Sequence, residues 1–173
     1  MFPNISKFIK RDILNREVSL FSDDLEKNRE ILKSEIQNKK VLVIGGAGTI
    51  GSSFIRALIE FNPSVLVVVD TNENGLTELT RKLRSDNSIN LPDTYLTYPL
   101  NFASKTFDKI LDNYHFEIIA NFAAHKHVRS EKDIISIEAM IENNVFSAQI
   151  LLDKLSSNPP NHFFCVSTDK AAN

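Results

Sequence analysis

Residues 41–51 read VLVIGGAGTIG, and this stretch decides the fold. Four apolar residues, three of them β-branched, run directly into Gly45, Gly46, Gly48 and Gly51. A continuous apolar run is the mark of a parallel strand buried on both faces. Glycines placed straight after such a strand have three physical uses. One permits a tight turn, one lets backbone N–H groups approach a pyrophosphate, and one lets the next helix pack close to the strand. An apolar helical pattern begins at Thr49. An anion held at the turn therefore sits at the positive end of a helix dipole. Strand, glycine turn and helix in this order predict a dinucleotide site, with Gly45, Gly48, Thr49, Ile50 and Gly51 binding the cofactor.

Downstream, Ile50, Phe54, Ala57, Leu58 and Phe61 place one helical face over 49–61, and Asn62-Pro63 ends the helix. Val65–Val69 is a second apolar run, and it ends at Asp70, 19 residues past Gly51. An acid at that point accepts hydrogen bonds from the adenosine ribose hydroxyls and repels a 2′-phosphate. Thr71, Asn72, Glu73 and Asn74 follow, so no adjacent cation neutralises such a phosphate. The cofactor expected is NAD, in preference to NADP. The alternative for Asp70 is a turn or helix-capping acid.

The pattern continues with a helix over 73–84, carrying Leu76, Leu79 and Leu83 inward, and a strand over 95–98. A helix over 104–114 and a strand over 117–122 follow. Asn101 falls where such a fold places a polar side chain near the adenine edge, although Asn is also a turn former. The fourth strand runs into Ala123-Ala124-His125-Lys126-His127-Val128. The small Ala123 and Ala124 suit close approach to the nicotinamide half. Lys126 and His127 either face the substrate or are solvated loop cations. No carboxylate or cysteine nearby completes a metal ligand set. A long helix over 134–155 carries Asn143 and Asn144 in its middle, where a buried Asn needs a hydrogen-bonding reason. A fifth strand over 162–166 ends in Ser167-Thr168-Asp169-Lys170. A hydroxyl pair, an acid and an amine there form either a catalytic constellation or a strand-end turn with a chance ion pair.

Alternating strands and helices predict an α/β protein of Rossmann type: a doubly wound parallel sheet, about five strands of it present, over residues 39–173. Residues 1–38 read as a helical amino-terminal extension. Ile5, Phe8, Ile9 and Ile13 share a face, and Ser22 is placed to cap a helix that turns Leu25, Ile31, Leu32 and Ile36 inward. This extension is either a flap on the core or an oligomerisation or partner-docking element.

The 173 residues are 42% hydrophobic and 24% charged, an ordinary globular composition. A net charge of −2 provides no basic field for nucleic acid and no polybasic membrane patch. No apolar run reaches the roughly 18 residues of a spanning helix, and Lys7, Lys10, Arg11 and Asp12 break up any secretory signal. The expected compartment is the cytoplasm. The single cysteine, Cys165, lies in an apolar run and reads as a buried small hydrophobe.

GGAGTIG, Asp70, AAHKHV followed by Glu131, and above all STDKAAN together resemble the extended short-chain dehydrogenase/reductase superfamily. Within it they resemble nucleotide-sugar 4,6-dehydratases of polysaccharide biosynthesis, of the UDP-N-acetylglucosamine type. The resemblance covers about residues 39–173. It implies a reaction in which NAD takes a hydride from carbon 4 of the sugar, water is eliminated across carbons 5 and 6, and the hydride returns to carbon 6. Carried over, Asp169 is the acid, Lys170 the base, and Thr168 a hydrogen-bonding group near carbon 4. Ala123, Ala124 and Ser167 fall on the cofactor side, Lys126 and His127 on the substrate side, and Asn144 matches the helix Asn that supports the site. The resemblance also implies a UDP-sugar substrate and a homo-oligomer at full length. Two positions depart from the pattern: Asn101 stands for the usual Asp, and Arg129 for a common Pro. The superfamily's Tyr-x-x-x-Lys motif, or Met in place of Tyr in some branches, lies beyond the fifth strand. The expectation is therefore an amino-terminal fragment that binds NAD with negligible turnover. A 4-epimerase or reductase, or a non-catalytic NAD-binding module, are the competing readings.

Overall fold

The computed structural model describes residues 5–15, 18, 21–125 and 133–167. The chain divides into two compact units, residues 1–35 and 36–173. In the first unit, α1 (Ile5–Phe8) runs straight into a π-helical turn over Ile9–Ile13, closed by Leu14 N–H donating to Ile9 C=O at 2.8 Å. Helix α2 (Ser22–Lys27) and α3 (Arg29–Ile36) are separated by Asn28, whose side-chain amide donates to Asp24 C=O at 2.8 Å. Phe21, not Ser22, occupies the N-cap of α2, and no side chain caps it. The inward assignment of Leu25 and Ile31 is corrected too: they are 53% and 61% exposed. No described residue of this unit is buried. With its one break at Asn28, the pair of short helices lacks a continuous stripe that a single 3.6-residue repeat would align.

The second unit opens with β1 (Lys40–Ile44), α4 (Thr49–Ile59), β2 (Val65–Asp70) and α5 (Glu73–Ser85). It continues with β3 (Thr94–Pro99), α6 (Lys105–Asn113) and β4 (Ile118–Asn121). Helix α7 (Ile134–Ile141) passes through a π-helical turn at Glu142–Phe146 into α8 (Ser147–Leu155), and β5 (His162–Cys165) follows. The five strands form one sheet in the order β3-β2-β1-β4-β5, every neighbour parallel. This is the doubly wound arrangement expected from the alternating pattern, and the order reverses between β1 and β4.

Alternate residues of the strands feed two cores. Val41, Val43, Leu66 and Val68 pack with Ile55, Leu58 and Leu76, Leu79, Leu83 of α4 and α5. Leu42, Ile44, Val67 and Val69 pack with Phe107 and Ile110 of α6 and Leu151 and Leu155 of α8. The inward face of α4 is Gly51, Ile55, Leu58 and Ile59, whereas Ile50 is exposed. The stripe is thus rotated from the one that places Ile50 and Ala57 inside. Asn62 adopts a left-handed conformation, φ 53°, after α4, which an Asn tolerates where a helix ends.

Cys165 is exposed, contrary to the expectation of burial. The cause is its strand: among the described residues β5 pairs only with β4 and lies at the edge of the sheet, and all four of its residues are exposed.

Candidate dinucleotide site

The turn after β1 is built by close approach. Gly45 has φ +75°, and a Cβ there would lie 2.5 Å from Ala123 N. A side chain is excluded by both backbone conformation and the adjacent β4 loop. At Gly51 a Cβ would meet Gly45 C=O at 2.3 Å, because the first turn of α4 sits directly on the loop. At Gly46 it would meet a Val68 methyl at 2.3 Å. Gly48 differs from all three. Its φ is −71°, and the nearest atom to an added Cβ is 3.4 Å away. The fold itself does not demand a glycine at 48. Gly48 is the N-cap of α4 and supplies no side-chain cap, which leaves first-turn N–H donors for an anion.

The turn faces a cleft of about 320 Å³ at the carboxyl ends of the strands. Gly45, Gly48 and Thr49 line it from β1–α4, and Asp70, Thr71 and Asn72 from the end of β2. Leu100, Asn101 and Phe102 line it after β3, and Ala123, Ala124 and His125 after β4. The sequence-chosen Gly45, Gly48, Thr49, Asp70, Asn101, Ala123 and Ala124 are therefore brought together. Ile50, Gly51, Asn144 and Ser167 do not line this cleft. Gly51 shapes the turn, and Asn144 acts one layer out, as described below. Thr168, Asp169, Lys170, Lys126 and His127 lie outside the described residues.

Asp70 uses both carboxylate oxygens on the backbone: Oδ2 accepts from Ala47 N–H and Oδ1 from Asn72 N–H, each at 2.9 Å. Asn72 in turn caps α5, its Oδ1 accepting from Gly75 N–H at 2.9 Å. Asn101 closes an Asx turn, its Oδ1 accepting from Ala103 N–H at 2.8 Å. The turn-forming reading of Asn101 thus describes its oxygen, which already holds one donor. Lys154 of α8 fastens the same loop by donating to Ser104 C=O at 3.2 Å.

On the other side of the cleft, Asn144 makes two reciprocal bonds with the backbone of His125. Its Oδ1 accepts from His125 N–H and its Nδ2 donates to His125 C=O, both at 2.8 Å. Asn144 lies in the π-helical turn between α7 and α8, and Asn143 beside it lines the cleft. The hydrogen-bonding reason for a mid-helix Asn is therefore this clamp on the loop after β4. The widened turn matches a sequence with two helix-poor residues at its centre.

Two contributors escaped sequence reasoning. Ala47 acts through its N–H, which no side-chain pattern signals. Asn121, 4% exposed, accepts from Ala123 N–H at 3.0 Å and shapes the path of the two alanines. A polar residue closing an apolar strand was its available signal.

A family described as polysaccharide biosynthesis protein matches residues 41–173. The chain belongs to that family. Among similar curated proteins, CapD, a capsular polysaccharide biosynthesis protein of Staphylococcus aureus, is 23% identical over 170 residues, covering 98% of this chain and 27% of CapD. Two solved structures share the fold. WbmF of Bordetella bronchiseptica, in complex with NAD+ and UDP, has a TM-score of 0.56 at 23% identity, over 76% of this chain and 36% of WbmF. A UDP-N-acetylglucosamine 4-epimerase of Methanobrevibacter ruminantium has a TM-score of 0.56 at 21% identity, over 74% of this chain and 37% of the epimerase. The chain spans about a quarter of CapD and little more than a third of the two structures it matches. Among the described residues, no helix of this family member is long and apolar enough to cross a membrane.

Proposed function

We propose that this chain is the NAD-binding part of a nucleotide-sugar 4,6-dehydratase that converts a UDP-N-acetylhexosamine to a 4-keto-6-deoxy sugar for surface polysaccharide. The observation that carries the cofactor half is the cleft at the strand reversal, where Gly48 leaves room and Asp70 stands beside the same turn. The residues present fit a dinucleotide. The open face at Gly48 and the uncapped start of α4 suit a pyrophosphate. Asp70 suits ribose hydroxyls and disfavours a 2′-phosphate, so NAD is the cofactor proposed.

NAD supplies a reversible hydride acceptor when bound. The chain's own part is to hold and orient it: Gly45, Gly48 and Thr49 at the phosphates, Asp70 at the adenosine ribose, Ala123 and Ala124 toward the nicotinamide. For the reaction, the sequence Thr168-Asp169-Lys170 supports elimination. Once carbon 4 is a ketone, the carbon 5 proton is acidic; Lys170 removes it while Asp169 protonates the departing carbon 6 hydroxyl. Lys126 and His127 are proposed to face the sugar nucleotide. A 4-epimerase shares the cofactor requirement, and the fold likeness to one keeps it as the second reading. Epimerisation has no departing hydroxyl, so the Asp169-Lys170 pair favours the dehydratase.

Titration calorimetry tests the cofactor: NAD binds the chain and NADP binds at least tenfold more weakly. Protein containing this chain, incubated with UDP-N-acetylglucosamine in deuterium oxide, tests the reaction. A dehydratase yields a 4-keto-6-deoxy product with solvent deuterium at carbon 5, and Asp169→Asn abolishes it while NAD stays bound. A 4-epimer without deuterium at carbon 5 would replace the dehydratase reading.

A further inference from the structure

We infer that Asp70 is also a positioning residue for the glycine turn, and so couples recognition of the ribose to recognition of the diphosphate. This rests on the proposal above that the cleft takes an adenine dinucleotide. The end of β2 holds the turn at consecutive residues. Val69 C=O accepts from Gly45 N–H at 2.7 Å and from Gly46 N–H at 3.4 Å. The Asp70 carboxylate then accepts from the next N–H, that of Ala47, at 2.9 Å. Its second oxygen holds Asn72 N–H at 2.9 Å, immediately before α5. One half-buried carboxylate thus joins the turn that would cradle a diphosphate to the start of the helix beside it.

Each carboxylate oxygen has about two acceptor positions. The two backbone donors occupy one position on each, leaving one on each for a ribose hydroxyl. Hydrogen bonds to an ionised acceptor are the stronger kind, so the carboxylate is a firm support for Ala47. An isosteric amide cannot replace it. The side chain of Asn carries one acceptor and one NH₂, and here two N–H donors face the two positions. In Asp70→Asn, Ala47 N–H either confronts another donor or keeps a neutral acceptor in place of an ionised one, so in both orientations of the amide the turn is held less firmly.

A ligand without ribose hydroxyls separates the two roles. ADP and 2′,3′-dideoxy-ADP are titrated into the wild-type chain and into Asp70→Asn. If Asp70 only reads hydroxyls, both proteins bind dideoxy-ADP equally. If it also positions the turn, Asp70→Asn binds dideoxy-ADP about tenfold more weakly, which is about 1.4 kcal/mol. Removing a negative charge would by itself favour an anionic ligand, so weaker binding reports the turn. Amide hydrogen exchange on the unliganded proteins gives the second readout. Ala47 N–H exchanges about tenfold faster in Asp70→Asn, while Val43 and Val67 in the central strands keep their protection. Equal or tighter dideoxy-ADP binding, or an unchanged Ala47, would overturn the inference. A wild-type chain that binds neither ADP nor NAD would instead remove the cofactor proposal, and the exchange of Ala47 would still judge the latch.

Discussion

Strands β2 and β5 carry similar apolar runs and reach opposite environments. In β2, Leu66, Val67, Val68 and Val69 are each 0% exposed. In β5, Phe163 and Phe164 are 39% and 51% exposed. The difference is one of position. Strand β2 lies between β3 and β1 with helices against both faces, whereas β5 pairs, among the described residues, with β4 alone. Apolar content therefore identifies a strand of this sheet without saying how well it is covered. The cleft inherits the asymmetry. One of its walls is carried by the ends of β1 and β2, and the other by the loop after β4, beside the open edge.

The largest expected effect tests that asymmetry directly. Leu42→Ala on β1, at a residue with no exposure, should cost about 2–5 kcal/mol of unfolding free energy. Phe163→Ala on β5 should cost under about 1 kcal/mol, since its ring is already partly in water. Denaturant midpoints at constant slope give both numbers. Equal costs would mean that β5 is covered in solution and would break the comparison.

Glycines of the turn sharpen it next. Gly51→Ala forces a Cβ against Gly45 C=O and should cost about 1–3 kcal/mol. Gly48→Ala has ordinary space and a common φ, so stability should stay within about 0.5–1 kcal/mol of wild type. Its effect should appear in NAD affinity, about tenfold weaker by calorimetry. If Gly48→Ala unfolded the chain while Gly51→Ala did not, the assignment of a ligand-facing and a fold-making glycine would be reversed.

These positions also mark what the sequence makes legible. The sheet, its parallel sense and the glycine turn follow from local patterns: β-branched runs, glycine spacing and a 3.6-residue repeat with turn signals between. Asp70 was legible because it ends a strand at a telling distance from the turn. The sources of its two backbone donors were not, because a backbone N–H has no residue-specific signature. Asn101 shows the same limit: Asx turns and ligand contacts use one amide oxygen, and only geometry tells that Ala103 N–H holds it. Burial of Cys165 failed because an edge strand and a central strand share a composition. In the amino-terminal unit the apolar spacing was real, but the break at Asn28 divided the helix that would have aligned Leu25 with Ile31.

On the open side of the cleft, Asn144→Ala removes both bonds to His125. Asn144 is exposed, so water can replace part of what is lost, and the expected cost is about 1 kcal/mol. The sharper readout is local: His125 N–H should exchange faster while Ala47 N–H keeps its rate. A simultaneous change at Ala47 would mean that the two walls of the cleft move as one.

The smallest effect lies at the far end of the same strands. Glu117, just before β4, accepts from Lys39 Nζ at 2.8 Å and from Lys40 N–H at 3.1 Å, tying the entrances of β1 and β4. The hydrogen bond from Lys39 is the main cause holding its carboxyl below the usual 4.5, helped by the bond from Lys40 and opposed by partial burial. A depressed folded-state value means that the folded protein prefers the ionised form. The contribution is therefore complete above about pH 4.5, where the unfolded chain is also ionised, and disappears as pH falls through the lower folded value. With the side chain still 26% exposed, the expected size is about 0.5–1 kcal/mol. Glu117→Gln should remove that much at pH 7 and nothing once the carboxyl is protonated. Denaturant curves for both proteins at pH 7 and about pH 3 measure the difference. A gap that persists unchanged at the acidic end would assign Glu117 a packing role in place of an ionic one, and the strand entrances would then owe their alignment to the apolar core alone.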